Sequence, residues 1–482
     1  MDDIDRRIAA TPPFPGLRHF YEGRRFKQWT GDDSKALMKI YLPAIAGHVP
    51  DGMVQAIAVF LDFCYLVRRS TINHDTLCRI EDTLNRFYEH RKIFVATGVR
   101  QTISLPRQHS MKHYIHLIQE YGAPNGLCSS ITESKHIKAV KEPWRRSSRF
   151  EALGQMLKTN SRLSKLTAAR AYFKKRGMLH GTALSDTLHQ MLPSELQEEM
   201  LRQEREVRNN SDDDEVARED DEGGPVDIMK AATTVDMAKR AREWIHAVSR
   251  CIYSSPHAES GYPRTLDGLA DHIMQPELKS LIRRFLFDQC NTDSTLTSDD
   301  VPLERCPKIH GSHRVLVFHS AVSTYYSPSE VSGLHGMRRE RIRSCPSWRR
   351  KEARRDCAFA VRDLSQPGMP GMFVVRVLLF ISFIFEEKTY PCALVEWFSL
   401  CGNERDPITG MWVVEPDLND CGQREVSVLH LDAIVRNAHL IPVFGETFLP
   451  GDFHHSLSLS SFRAYYVNQY ADHHIHEVLV VD

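Results

Sequence analysis

Thirteen lysines and arginines fall between residues 135 and 176: Lys135, Lys138, Lys141, Arg145, Arg146, Arg149, Lys158, Arg162, Lys165, Arg170, Lys174, Lys175 and Arg176. Only Glu142 and Glu151 oppose them. Cations at this density suit the neutralisation of backbone phosphates, with release of condensed counterions and little dependence on base sequence. Trp144 stands next to Arg145 and Arg146, where its ring either stacks beside them or packs into a core. A second run holds Arg338, Arg339, Arg341, Arg343, Arg349, Arg350, Lys351, Arg354 and Arg355 around Trp348. It reads as a loop between strands, open to use as a nucleic-acid patch, a nuclear import signal or a plain solvated loop. Glu133, between Thr132 and Ser134, reads by residue type alone as a first-turn acid favoured by the helix dipole. His454, His455, His473, His474 and His476 have the wrong spacing for a closed metal site and read as a surface histidine cluster.

Two further chemistries find no support. The 11 cysteines include no C-x-x-C pair, so a reducing compartment is expected rather than a disulfide framework or a zinc ribbon. Cys392 lies in an apolar strand context and reads as a buried structural thiol. Neither a G-x-x-x-x-G-K-[ST] phosphate loop nor a G-x-S-x-G nucleophile elbow is present.

The elements that must position these residues follow from periodicity. At 482 residues the chain is long enough for two to three domains, and a net formal charge of zero leaves only the local placement of charge informative. Helices are expected from Asp33-Ser34 through Leu42, over 54–67, from Asp75 through Phe87, over 111–121 and over 151–175. Residues 211–225, rich in Asp and Glu and ending Gly-Gly-Pro, read as a disordered linker. Helical periodicity returns over 229–291. From about residue 301 short β-rich runs follow: 315–318, 358–361, 373–385, 392–398, 411–414 and 426–431. Trp397, Phe398 and Trp412 sit among Val and Leu and read as core of that module. Residues 460–470 read as one closing helix. The longest apolar run, 374–385, is broken by Arg376 and is too short to span a bilayer, so no membrane association is expected.

Longer blocks carry a resemblance. These are 23–33 (GRRFKQWTGDD), 105–114 (LPRQHSMKHY), 122–126 (GAPNG), 131–138 (ITESKHIK), 144–149 (WRRSSR), 262–266 (YPRTL), 336–343 (GMRRERIR), 390–398 (YPCALVEWF) and 465–468 (YYVN). Together they resemble the C-terminal part of fungal Plavaka-type transposases, within the CACTA-like class. The resemblance implies an RNase H-like nuclease core in which three carboxylates hold two Mg²⁺ ions for in-line displacement at phosphorus. It places the last of those carboxylates, and hence a metal ligand, at Glu133. The helix before it carries His109, His113 and His116, the turn is Gly122-Ala123-Pro124, and Lys135, Lys138 and Lys141 follow. The first two carboxylates should lie on upstream strands, yet Asp32, Asp33, Asp51 and Asp62 all fall in helical or loop contexts. The chain is therefore expected to begin inside the helical insert and not to hold Mg²⁺ or cut DNA alone.

The expected fold is α+β. It comprises a mostly helical region 1–195, an acidic disordered linker 196–228, a helical segment 229–300 and a small β-barrel or sandwich-like module 301–482. The expected function is that of a truncated or degenerate transposase C-terminal region with residual DNA binding, nuclear or cytoplasmic in location. The nucleic-acid contacts would come from Lys135, Lys138, Lys141, Arg145, Arg146, Arg149, Arg338, Arg339, Arg341 and Arg343. The alternative is a repurposed nuclear module, without catalysis, that binds a protein or chromatin partner through its β-rich part.

Overall fold

The computed structural model describes residues 2–27, 29–127, 136–176, 234–237, 259, 261–291, 296–330, 337–348, 352–363 and 365–480. The acidic linker, Glu133, Lys135, Arg349, Arg350 and Lys351 lie outside these. The chain forms two compact units: Met1–Gly126 with Asp221–Ala238 and Ala258–Asp482, and Leu127–Asp220 with Lys239–His257.

In the first unit α1 (Asp2–Ala9), α2 (Gly31–Ile45), α3 (Asp51–Leu66), α4 (His74–His90) and α5 (Tyr114–Tyr121) come first. The α2 helix starts before the Asp33-Ser34 pair expected to cap it. Thr30 is the N-cap: its Oγ1 accepts from Asp33 N at 3.2 Å while Asp33 Oδ2 accepts from Thr30 N at 3.0 Å, a reciprocal capping box. The α3 helix is apolar on most faces, and it is buried on most faces. Val59, Phe63 and Leu66 pack with Ile80, Leu84 and Phe87 of α4 and with Ile118 of α5. Leu61 and Tyr65 pack instead against Met411, Tyr466 and Tyr470. The N-terminal helices thus share cores with C-terminal residues and do not stand apart as a helical domain. Arg7, fully buried on α1, ties the two ends together. Its Nη1 donates to Ala46 O and its Nη2 to Gly445 O, both at 2.7 Å, and its Nε pairs with Asp3 at 2.9 Å.

Thirteen strands follow in the described residues of this unit. They are β1 (Thr234–Met237), β2 (Val315–Phe318), β3 (Ser320–Tyr326), β4 (Met337–Cys345), β5 (Arg354–Arg355), β6 (Cys357–Val361), β7 (Met372–Phe385), β8 (Lys388–Leu400), β9 (Trp412–Pro416), β10 (Val426–His430), β11 (Ile434–Ala438), β12 (Leu440–Pro442) and β13 (Tyr465–Val467). All pairings among them are antiparallel. The large sheet runs β11-β6-β7-β8-β9-β13-β12, with β2 added to β7 and β10 to β8; the smaller runs β1-β3-β4-β5. Between β2 and β3 the chain passes from one sheet to the other through His319, which gives the nearly closed, barrel-like form of the C-terminal half. β1 lies within the region expected to be helical. The helical segment continues as α6 (Leu266–His272) and α7 (Leu278–Cys290).

One face of β6-β7-β8 meets Phe318, Ala321 and Ile342. The opposite face carries two apolar clusters. Ile381, Phe383, Tyr390 and Cys392 pack under α6 and α7. Phe359, Val374, Phe398 and Trp412 pack under α8 (Ser458–Ser461) and α9 (His473–Leu479). The segment 460–470 is not one closing helix: α8 ends at Ser461, residues 465–467 form β13, and α9 begins at His473. Tyr465 and Val467 are fully buried there, because alternate pairing with β9 and β12 satisfies backbone groups that a lone helix would satisfy internally.

Candidate functional site

In the second unit a single π-type turn, Ile137–Lys141, leads into a short helix, Glu142–Arg146, and then into a 24-residue helix, Ala152–Lys175, about 36 Å long. The connection is tight: Arg149 and Glu151 adopt positive φ, and Gln155 clamps it. Gln155 Oε1 accepts from Ser148 N at 3.0 Å, and its Nε2 donates to Phe150 O at 2.8 Å. Asn160 Nδ2 donates to Ala139 O at 2.7 Å, holding the long helix to the turn before it.

Lys141, Arg145, Arg146, Arg149, Lys158, Arg162, Lys165 and Arg170 are all exposed, and none makes an ion pair with a described residue. Lys158, Arg162 and Lys165 are spaced four and three residues apart, so they share one side of the helix. Trp144 is 45% exposed, which places its ring at the surface beside Arg145 rather than in a core. Lys138 lies in the π-type turn.

The described arginines of the second basic run before Trp348 lie in a strand, not in a loop. Arg338, Arg339, Arg341 and Arg343 lie in β4, paired to β3 in the register Thr324↔Arg339, Val322↔Arg341 and Ser320↔Arg343. Arg341 and Arg343 are almost fully buried. Arg343 stacks 3.8 Å from the Trp348 ring centroid, and Arg338 pairs with Glu330 at 2.8 Å. Side chains held in this way do not form a solvated phosphate-binding patch. Their charge hides the strand from a reading based on apolar alternation, because ion pairs and cation–π contacts cover this segment instead of apolar neighbours.

The tail histidines are likewise not a surface cluster. His476 is fully buried, and its Nε2 lies 3.3 Å from Asp62 Oδ1. Burial, ahead of neighbouring charges, lowers the pKa of His473 to about 4 and that of His474 to about 3. Both are half-buried beside buried charges, a setting that disfavours their protonated form. Among the described residues no three His, Cys, Asp or Glu side chains are placed to hold a metal ion; Glu133 lies outside them. Asp32 and Asp33 lie on α2, and Asp51 and Asp62 on α3. No helix among the described residues is long and apolar enough to cross a membrane. Cys392 is fully buried, and burial raises its thiol pKa well above the ordinary range. Phe398 and Trp412 are core residues, and Trp397 is half-buried with its Nε1 donating to Ser427 Oγ at 2.6 Å.

No family model, curated protein or solved structure matches this chain.

Sequence reasoning missed a buried charge network in the first unit. Arg436 on β11 donates from Nη2 to Glu340 Oε2 and from Nη1 to Asp472 Oδ1, each at 3.1 Å. The Tyr325 ring lies 4.3 Å from the same guanidinium, and its hydroxyl donates to Glu340 Oε2 at 3.0 Å. Glu340 Oε1 accepts from Asn437 N at 2.7 Å, and Asp472 caps α9 by accepting from Ile475 N at 2.8 Å. Burial alone would raise the Asp472 pKa; Arg436 outweighs it and holds the carboxyl well below the ordinary range. The network joins β4, β11 and α9. Every strong partner is internal, which makes it a structural tie and not a ligand site.

Proposed function

We propose that this chain is a partial or degenerate transposase C-terminal region that keeps sequence-independent binding to DNA. The observation that supports this most is the run of eight exposed cations from Lys141 to Arg170, on a short helix and a long one, that pair with no described carboxylate. Exposed cations gain phosphate contacts and release condensed counterions when they meet a nucleic-acid backbone. Trp144, half exposed among them, supplies a stacking surface for a frayed or single-stranded base. The resemblance to Plavaka-type transposases takes in the first part of this segment, with Arg145, Arg146 and Arg149 in the block 144–149, and a nuclear location follows from it. In this reading the chain does not cleave DNA by itself.

The test is the affinity of the full chain for duplex DNA of unrelated sequences, measured against salt concentration. The expected slope of log K against log salt is steep and similar for every sequence. A flat dependence refutes the reading. A nuclease assay with Mg²⁺ or Mn²⁺, comparing the chain with Glu133→Ala, tests the catalytic inference separately: cleavage that depends on Glu133 would overturn the non-catalytic part.

A second reading, a nuclear interaction module working through its β-rich part, is favoured by one observation, the cleft of about 790 Å³ in that part.

A further inference from the structure

One side of the long helix Ala152–Lys175 is an ordered stripe. Gln155, Lys158, Arg162, Lys165 and Tyr172 follow at spacings of three, four, three and seven residues, which puts them on a single face. Asn160, which holds the helix to Ala139, lies on the opposite side, so the stripe turns away from that contact. From Gln155 to Tyr172 the face is about 26 Å long.

An exposed aromatic ring stands at each end of this row of cations. At the far end Tyr172 is 56% exposed, and the Arg176 guanidinium lies 5.3 Å from its ring centroid. At the near end Gln155 grips the corner that carries Phe150, whose side chain is 76% exposed. Phe150 stands between Arg149 and Glu151, at φ of 65° and 43°, a conformation that side-chain-bearing residues adopt at a cost and that the Gln155 clamp holds in place. Trp144 is fixed nearby, since Ser147 Oγ donates to Trp144 O at 2.8 Å. Between residues 141 and 170 the only carboxylates are Glu142 and Glu151, against eight cations.

Rings held in water by the local backbone, among cations, fit one kind of partner better than others. The centre of a protein interface is depleted of charge, which disfavours a protein over Arg145, Arg146 and Arg149. A duplex has the phosphates but hides its base faces in its own stack. A single strand offers a phosphate and an open base face with each nucleotide.

We propose that this face binds single-stranded DNA in preference to duplex. The backbone tracks along Lys158, Arg162 and Lys165, and bases stack on Phe150 and Trp144 at one end and on Tyr172 at the other. The inference rests on the DNA-binding reading above and adds the strand state of the nucleic acid.

The test is fluorescence anisotropy of the full chain with a labelled oligothymidylate of about 16 nucleotides, and with the same strand annealed to its complement, at one salt concentration. Charge alone favours the duplex, which carries twice the phosphates, so tighter binding of the single strand reports the rings. That preference is the expected result. Phe150→Ala, Trp144→Ala and Tyr172→Ala alter exposed side chains and leave the fold in place. Each should weaken the single strand by roughly five- to a hundredfold and leave duplex affinity unchanged, while Phe150→Tyr should keep the parent affinity. Equal or tighter binding of the duplex overturns the proposal and leaves the DNA-binding reading standing. Binding of neither form overturns both. Alanine variants that hold the single strand as tightly as the parent chain would assign the rings to another partner, and the proposal fails on that result too.

Discussion

Replacing Arg436 by methionine removes the cation that Glu340 and Asp472 share while keeping most of the side-chain volume. The side chains of Arg436, Glu340 and Asp472 are 2%, 7% and 10% exposed, so water cannot take the place of the missing partner. Removing one member of a buried ion pair costs about 3–5 kcal/mol, because the remaining charge stays buried and uncompensated. Arg436→Met should therefore lower the unfolding free energy by about that amount at pH 7, read by denaturant unfolding followed through tryptophan fluorescence. Adding Glu340→Gln and Asp472→Asn to the variant should recover about 2 kcal/mol or more, since neutral amides tolerate the site better than bare carboxylates. The pH dependence carries a sign. In the parent chain the Asp472 pKa is depressed. Its stabilising contribution is thus present above the ordinary carboxylate pKa and lost as pH falls through and below that range. Without Arg436 the desolvation that opposes ionisation is no longer outweighed, so the folded pKa rises above the unfolded one. The folded variant then takes up protons as pH falls from 7 toward 5, and its deficit shrinks. A loss under about 1 kcal/mol at pH 7, or a deficit that grows toward acid, would refute the assignment of Arg436 as the compensating charge.

Three other outcomes are expected. Combining Arg145→Gln, Arg146→Gln and Arg149→Gln should reduce the slope of log K against log salt by roughly 0.9 for each phosphate that is no longer neutralised, as read by fluorescence anisotropy on duplex DNA; an unchanged slope excludes these residues. The buried His439 and the half-buried His19 and His473 have pKa values lowered to about 4, by desolvation first. The unfolded chain therefore binds more protons than the folded one between about pH 6.5 and 4, and stability should fall as pH drops through that window. The steepest slope is about 1.4 kcal/mol per pH unit for each histidine, and a flat stability profile between pH 7 and 5 would contradict it. Phe285→Ala on α7 should cost about 3–5 kcal/mol, because the ring is buried edge-on against Tyr390 at 5.9 Å; thermal unfolding measures it, and a near-neutral result would mean that α7 is not packed there.

The sequence by itself determined the elements that have a period of their own. The α3 and α4 helices, the strands β2, β6, β7, β8 and β10, and the basic run on helices after residue 135 were legible, because side-chain spacing reports which face of an element is apolar or charged. It also marked, without explaining, the charged interruption in the long apolar strand, Arg376; the structure pairs it across strands with Glu396 of β8. What period cannot report is the partner. Arg341 and Arg343 looked like surface cations because charged side chains usually are, Arg436 carried no signal at all, and His473, His474 and His476 looked like a surface tail. The tertiary structure buried them by bringing in groups far away in sequence: Glu340 reaches Arg436 across 96 residues, and Gly445 O meets Arg7 across 438. It also decided that residues 1–126 share cores with the C-terminal strands. Burial of charge is favourable only where its compensation is also buried, and that compensation is set by how the chain closes on itself, not by any local window of residues.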